Sequence, residues 1–349
     1  MDILAKIESI SYTPALPNKS MREYAIEDLD YALSRHAVFL LTSNKNDTYA
    51  VSWWVSSKRT RSYPYARVYD TLKFKGKKIT IIPICKDEGE DGDRDYLQYD
   101  TVSLMSLLQV YVIIGYYKGA VKSSRYRNKI TKQRFDGEHI KKEIDKLHSF
   151  HSDALHWNII QLREVHIIAA KALSAYRRIA EETDVKMHSF DDFDKRIDKL
   201  INGVNDFLDI SRELAKQAQN REALTCQPKE RLEGNKAKIT IINYIGGHYY
   251  LTVDEAEIKG NKVYLIESKH TESKKLPSIG DIKDGLIKMI LFTNIKHAVI
   301  DGKEYEAIPV LKLTTGNRLQ KIEEKKLTPL IEEGRTNNFR IMFNNEYIV

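Results

Sequence analysis

Cysteine is nearly absent from this sequence of 349 residues; Cys85 and Cys226 are the only two. Two thiols supply neither a disulfide framework nor a zinc-binding set, and the count fits a reducing cytoplasm. Long apolar runs are missing too. The longest, Leu104–Tyr117, is too short to span a bilayer and is interrupted by Ser106 and Gln109, so it belongs in a protein core and no membrane partner is expected. The opening MDILAKIESISYTP has no basic start followed by an apolar stretch, which argues against a secretion signal. No Gly-x-x-x-x-Gly-Lys-[Ser/Thr] phosphate loop occurs, which argues against an ATP-driven subunit. His-Glu-x-x-His is also absent, so His148, His151, His156 and His166 read as ordinary helix-surface or interface residues.

What is present is the composition of a globular protein, 42% hydrophobic and 30% charged, long enough for two or three domains. The net charge of +7 and a pI near 9.0 favour an acidic partner, of which nucleic acid is the commonest.

Three regions differ in character. Residues 1–132 read as a β-rich α/β domain suited to DNA recognition. A helix is expected over 20–36, and β-like stretches over Ala37–Thr42, Tyr49–Val55, Ala66–Phe74 and Ile79–Cys85. An acidic loop (86–95), a helix near 97–109 and a strand near 110–117 follow. Residues 133–224 contain no proline and carry apolar residues at helical spacing, from Leu155 through Leu162 to Tyr176 and again over Asp191–Gln219. These predict two long helices, a candidate dimer interface, with a shorter one near 138–149. Residues 225–349 begin with a linker-like stretch over 225–238 and a strand Ile239–Ile245. Later come a helix capped by Ser278, with Ile282, Leu286, Ile287 and Ile290 buried, and a strand at Ala298–Ile300. A strand near 305–313, a charged helix around 317–333 and a strand near 339–343 end the chain.

The most informative stretch is His248–His270. It reads as strands Tyr249–Ile258 and Lys262–Lys269 joined by a tight turn at Gly260–Asn261. With a two-residue turn, cross-strand partners have numbers summing to 521, which sets Asp254 opposite Glu267 and Thr252 opposite Lys269. Directly opposed residues share a face, so Asp254, Glu267 and Lys269 converge. Two facing carboxylates repel unless a cation lies between them, and a hard divalent ion with oxygen ligands suits them.

This arrangement resembles the PD-(D/E)XK nuclease superfamily, which includes many type II restriction endonucleases. The resemblance covers roughly residues 194–300. The residues that carry it are Asp254, then Glu267-Ser268-Lys269, then the helix from Ser278; the family's Pro before the Asp is replaced by Val253. Glu-x-Lys also starts at Glu257, Glu272, Glu323 and Glu324, but only Glu267 ends an apolar strand with an Asp facing it. Glu257 falls on the opposite face from Asp254. The resemblance implies a mixed sheet flanked by helices, with Asp254, Glu267 and the Ser268 carbonyl holding Mg²⁺. It also implies that Lys269 positions water or stabilises the transition state, and that an acid from the preceding helix, Glu213 or Glu222, completes the shell.

The expected function is Mg²⁺-dependent cleavage of double-stranded DNA, of restriction type and plausibly by a homodimer. The alternatives are a repair, recombination or RNA-cleaving nuclease on the same core, or a non-catalytic nucleic-acid-binding protein. Two basic stretches interleaved with tyrosines are candidate DNA contacts, or solvated surface: Lys58, Arg59, Arg61 and Arg67, and then Arg125 and Arg127. The segment 68–86 echoes 252–269, with Asp70 matching Asp254, through ancient duplication or chance. Within the acidic loop, a solvated turn competes with a second metal site built from Asp70 with Asp87 or Glu88.

Overall fold

The structure is a computed structural model that describes residues 1–16, 21–58, 62–193, 195, 236–243, 248–272, 276–316 and 324–349. It is a mixed α/β protein in two packing units: Met1–Lys19 together with Glu213–Val349, and Ser20–Arg212. This division differs from boundaries at 132 and 224. The first residues belong with the last, and the helices after 133 pack within the same unit as the preceding strands.

The chain begins with β1 (Asp2–Ile7), whose alternate residues Ile3, Ala5 and Ile7 are buried. The Ser20–Arg212 unit opens with β2 (Glu23–Ala25), a single 3-10 turn and α1 (Leu29–Arg35), where one helix over 20–36 was expected. Then come β3 (Val38–Thr42), β4 (Thr48–Trp53), α2 (Pro64–Thr71) and β5 (Lys78–Pro83). A short hairpin of β6 (Cys85–Asp87) and β7 (Arg94–Tyr96) leads to α3 (Tyr99–Leu107) and β8 (Val110–Gly115). A second hairpin, β9 (Tyr117–Lys122) and β10 (Ile130–Phe135), precedes α4 (Gly137–His148), α5 (Ala154–Arg163) and α6 (Val165–Thr183). The five-stranded sheet runs β2-β3-β4-β5-β8.

The expected strand over Ala66–Phe74 is the helix α2. Branched and aromatic residues mimic a strand there, but Pro64 fixes a helical φ at the first position and Tyr65, Ala66, Val68 and Tyr69 are buried at helical spacing. Asp70 therefore sits on a helix and is no structural counterpart of Asp254. The single long helix expected through Leu155–Tyr176 is interrupted at Glu164, giving α5 and α6. The second long helix, over Asp191–Gln219, lies largely outside the described residues.

Side chains from α5 cover the open edge of β8. Asn158 Oδ1 accepts from the Val112 amide at 2.7 Å, Gln161 Oε1 accepts from the Ile114 amide at 3.1 Å, and Trp157 Nε1 donates to the Val112 carbonyl at 2.7 Å. An edge strand is thus satisfied without a neighbouring strand.

In the other unit come β11 (Ala237–Asn243), β12 (His248–Val253), β13 (Glu255–Lys259), β14 (Lys262–Thr271) and α7 (Ile279–Phe292). These are followed by β15 (Ile295–Ile300), β16 (Lys303–Thr315), α8 (Glu324–Asn337), β17 (Arg340–Phe343) and β18 (Glu346–Tyr347). The sheet order is β12-β11-β1-β15-β16-β14-β13, with β17 also on β16 and β18 on β17. The extreme strands, β12 and β13, are separated in sequence by Asp254 alone. So short a link joins opposite ends of the order only if the sheet curls until its ends meet. Asp254 is that seam.

β1 lies between β11 (parallel) and β15 (antiparallel), in the middle of this sheet. The chain after it is tied to α8 by the buried Glu333, which accepts from Tyr12 Oη at 2.7 Å and from the Ala15 and Leu16 amides at 2.9 Å each. A buried carboxylate must be met by donors of this kind. Removal of residues 1–8 is therefore expected to abolish cooperative unfolding of the 213–349 part, monitored by thermal denaturation. A truncated chain that melts at the full-length temperature would show β1 to be dispensable.

Candidate active site

The β13–β14 hairpin has the register that its turn dictates. Lys259 pairs with Lys262, Ile258 with Val263, and so on to Glu255 with Ile266, each pair summing to 521. The ladder stops one pair short of Asp254 and Glu267 because the expected strand Tyr249–Ile258 breaks at Asp254 into β12 and β13. Released from pairing, Asp254 turns its Oδ2 onto the Ser268 amide, which donates at 2.8 Å. In an extended strand the amide and carbonyl of one residue point to the same edge, so the Ser268 carbonyl faces the Asp254 side as well.

On its other edge β14 pairs in parallel with β16 over ten residues, Lys262 with Glu306 through Thr271 with Thr315, which fixes where Glu267 and Lys269 project. Both lie under α7. Its N-terminus is held as expected, with Ser278 Oγ accepting from the Asp281 amide at 3.2 Å, and Ile282, Leu286, Ile287 and Ile290 are buried. Gly285 lets this helix approach closely: a Cβ there would lie 2.9 Å from Leu311, 3.2 Å from Lys269 and 3.7 Å from Glu267.

Glu267 is only 1% exposed. Its Oε1 lies 2.9 Å from Lys269 Nζ, and its Oε2 lies 2.7 Å from Lys288 Nζ. Lys269 Nζ also meets Asp284 Oδ2 at 3.1 Å, and Lys288 Nζ donates to the Thr252 carbonyl at 3.2 Å. Burial pushes the Glu267 carboxyl up, but the two ammonium groups outweigh it and hold the group below the usual range. For Lys269 burial alone would lower the pKa; Glu267, Asp284 and Asp254 reverse this and raise it well above normal. Lys269 is thus a fixed positive charge and no proton acceptor at neutral pH. Burial and then the neighbouring Glu267 raise Asp254 from 3.8 to about 7.

Behind β14 a second buried pair faces the other way. Lys312 Nζ lies 3.1 Å from Glu255 Oε1, which also accepts from Ser268 Oγ at 3.4 Å. Alternation along the strand separates this pair from Glu267 and Lys269 and braces Ser268.

The cluster of Asp254, Glu267, Asp284, Lys269 and Lys288 holds three carboxylates against two ammonium groups. Its remaining negative charge, and an Asp that burial and a like charge keep partly protonated, suit a cation bound by oxygens. Among the described residues no three His, Cys, Asp or Glu side chains gather as metal ligands. The donor set here is two carboxylates and a backbone carbonyl, a set that Mg²⁺, which keeps several waters, can use. Asp284 and Lys288 were not singled out from the sequence. Their signal is two opposite charges at i and i+4 bracketing Gly285, in a helix that from Leu286 to Phe292 is apolar except at Lys288. Glu213 and Glu222 lie outside the described residues.

The candidate DNA contacts divide. Arg59 and Arg61 lie outside the described residues. Lys58 is exposed, 3.9 Å from Asp95. Arg67 is turned inward: its guanidinium donates to the Trp53 carbonyl at 2.7 Å, lies 4.7 Å from the Trp53 ring centroid, and burial lowers its pKa. Arg67 is thus engaged within its own unit. Arg125 and Arg127 stand exposed beside Tyr126 in the turn between β9 and β10.

The acidic loop buttresses that turn, and at Asp87 and Glu88 it is buried and not a solvated turn. Glu88 lies 2.6 Å from Lys86 and 2.9 Å from Lys129; against its burial, these lysines lower its carboxyl to about 2. Asp91 Oδ2 accepts from the Asn128 amide at 2.8 Å, and the buried Asp87 meets His188 at 2.7 Å. Gly89, at φ +89°, packs so that a Cβ would lie 2.3 Å from the Asn128 carbonyl oxygen.

Comparison with protein-family models, curated proteins and solved structures finds no match to this chain. Among the described residues no helix is long and apolar enough to cross a membrane.

The raised Asp254 pKa makes stability pH-dependent. Below about pH 4 the group is protonated in both states. Between there and its folded value near 7 the folded state keeps a proton that the unfolded state has released, so this contribution is lost as pH rises. The full difference is roughly 4 kcal/mol. Asp254→Asn keeps an acceptor for the Ser268 amide and removes the charge. Its melting temperature should match the wild type near pH 4 and exceed it increasingly toward about pH 8. A constant difference across that range would show that Asp254 titrates normally.

Proposed function

We propose that this chain is a Mg²⁺-dependent DNA endonuclease on a PD-(D/E)XK-like core, acting as a restriction-type enzyme. The observation that carries the reading is Asp254 meeting the Glu267-Ser268-Lys269 strand at the seam of the sheet, with Ser268 donating to Asp254 at 2.8 Å and Lys269 against Glu267 at 2.9 Å. The order of elements supports it: β14, then α7, then β15 and the β16 that pairs parallel to β14, with β17 parallel to β16 beyond α8.

In this reading Asp254, Glu267 and the Ser268 carbonyl hold the cation. When bound, it supplies a water of lowered pKa and neutralises charge on phosphate oxygens. Lys269, held protonated by its acidic neighbours, offers a fixed ammonium to the charge that builds on the phosphate. Asp284 orients that ammonium from α7. Burial of Glu267 keeps bulk water from screening these charges. Arg125, Tyr126 and Arg127, with Lys58, Arg59 and Arg61, are the proposed DNA contacts. Cutting both strands calls for two such sites and hence a homodimer.

The test is incubation of purified protein with unmethylated phage DNA and Mg²⁺, followed by mapping of the ends. Defined fragments are expected. Asp254→Asn, Glu267→Gln and Lys269→Ala should each lower cleavage by about 100-fold or more. DNA binding should persist in all three and weaken steeply with salt. Wild-type cleavage by any one variant would remove that residue from the site, and no metal-dependent cleavage of DNA would remove the function.

A further inference from the structure

Glu267 has an ammonium group against each of its two carboxylate oxygens. Lys269 has a second acid, Asp284, to balance it when Glu267 is engaged elsewhere. Lys288 also faces a second acid, Asp254, whose ionised form its charge favours. At this site it touches Glu267 Oε2 and the Thr252 carbonyl, two oxygens of the kind a hard cation takes as ligands. Thr252 immediately precedes Val253 and Asp254 at the seam, so the Lys288 ammonium rests on the approach to the carboxylate pair. It springs from α7 four residues after Asp284, one turn beyond the close contact at Gly285, on a flexible four-carbon stem.

We propose that Lys288 is a built-in counterion that competes with the divalent cation for Glu267. It stabilises the buried acid in the cation-free protein and sets the cation affinity low. The inference rests on the reading of Asp254 and Glu267 as a cation site. Lys288 acts through Glu267 and is a positioning residue. Because it competes through charge, neutralising it strengthens cation binding, whereas a residue that merely supports Glu267 would weaken binding on removal.

The test is calorimetric titration of the full chain with Mn²⁺ and with Mg²⁺, without DNA. Lys288→Gln keeps a donor for the Thr252 carbonyl and removes the charge; Lys288→Arg keeps the charge. Lys288→Met gives a second neutral variant should the Gln variant not fold. The neutral variants are expected to bind Mn²⁺ about tenfold more tightly than wild type or better, with Lys288→Arg within about threefold of wild type. Equal or weaker binding by the neutral variants, while wild type binds in a manner that Asp254→Asn abolishes, would overturn the role of Lys288 and leave the cation site standing. Absence of any Asp254-dependent binding in wild type and neutral variants alike would overturn both.

Discussion

Glu267 sits in the middle of a strand, under a helix, with 1% of its surface exposed. A carboxylate in that position is unfavourable unless cations stand against both of its oxygens, and Lys269 and Lys288 do. Much of the 213–349 part serves that contact. The long parallel pairing of β14 with β16 aims Glu267 and Lys269 at α7. Gly285 brings α7 close enough for Asp284 and Lys288 to reach the strand. The Glu255–Lys312 pair on the far side is satisfied separately, so the two buried charge clusters do not compete for partners.

The curl of the sheet supplies the remaining acid. Consecutive strands β12 and β13 occupy opposite ends of the strand order, and Asp254 is the residue at which one becomes the other. An aspartate in a regular strand would project from one face. At a seam its side chain turns along the edge and accepts from Ser268. The same closure buries it beside Glu267, which raises its pKa. Fold and charge are coupled here: flattening the sheet would expose Asp254 and separate it from β14.

Local signals in the sequence located much of this. Gly260–Asn261 set the register through to Glu255–Ile266, and Ser278 with the spacing of Ile282, Leu286 and Ile290 marked α7. The break at Asp254 was hidden, because a continuous apolar alternation reads the same whether the strand keeps one partner or exchanges it for another. The placement of β1 was equally hidden, since its partners lie more than 230 residues away and strand pairing leaves no local trace of distance. Asp284 and Lys288 are ordinary helix-surface charges until β14 is placed beneath them. In the other unit, local composition misled: the aromatic and branched residues of 64–71 form a helix because Pro64 and the buried spacing outweigh β propensity. The acidic loop likewise reads as solvated until Lys129 and Asn128 come from the β9–β10 turn to meet it.

The central claim is that Asp254, Glu267 and the Ser268 carbonyl share one divalent cation. Crystals grown with Mn²⁺ and measured at its absorption edge test this most directly. The account predicts one anomalous peak within about 2.5 Å of oxygens from all three residues. A peak bound elsewhere, or none at this seam while the protein is saturated with Mn²⁺, would contradict it.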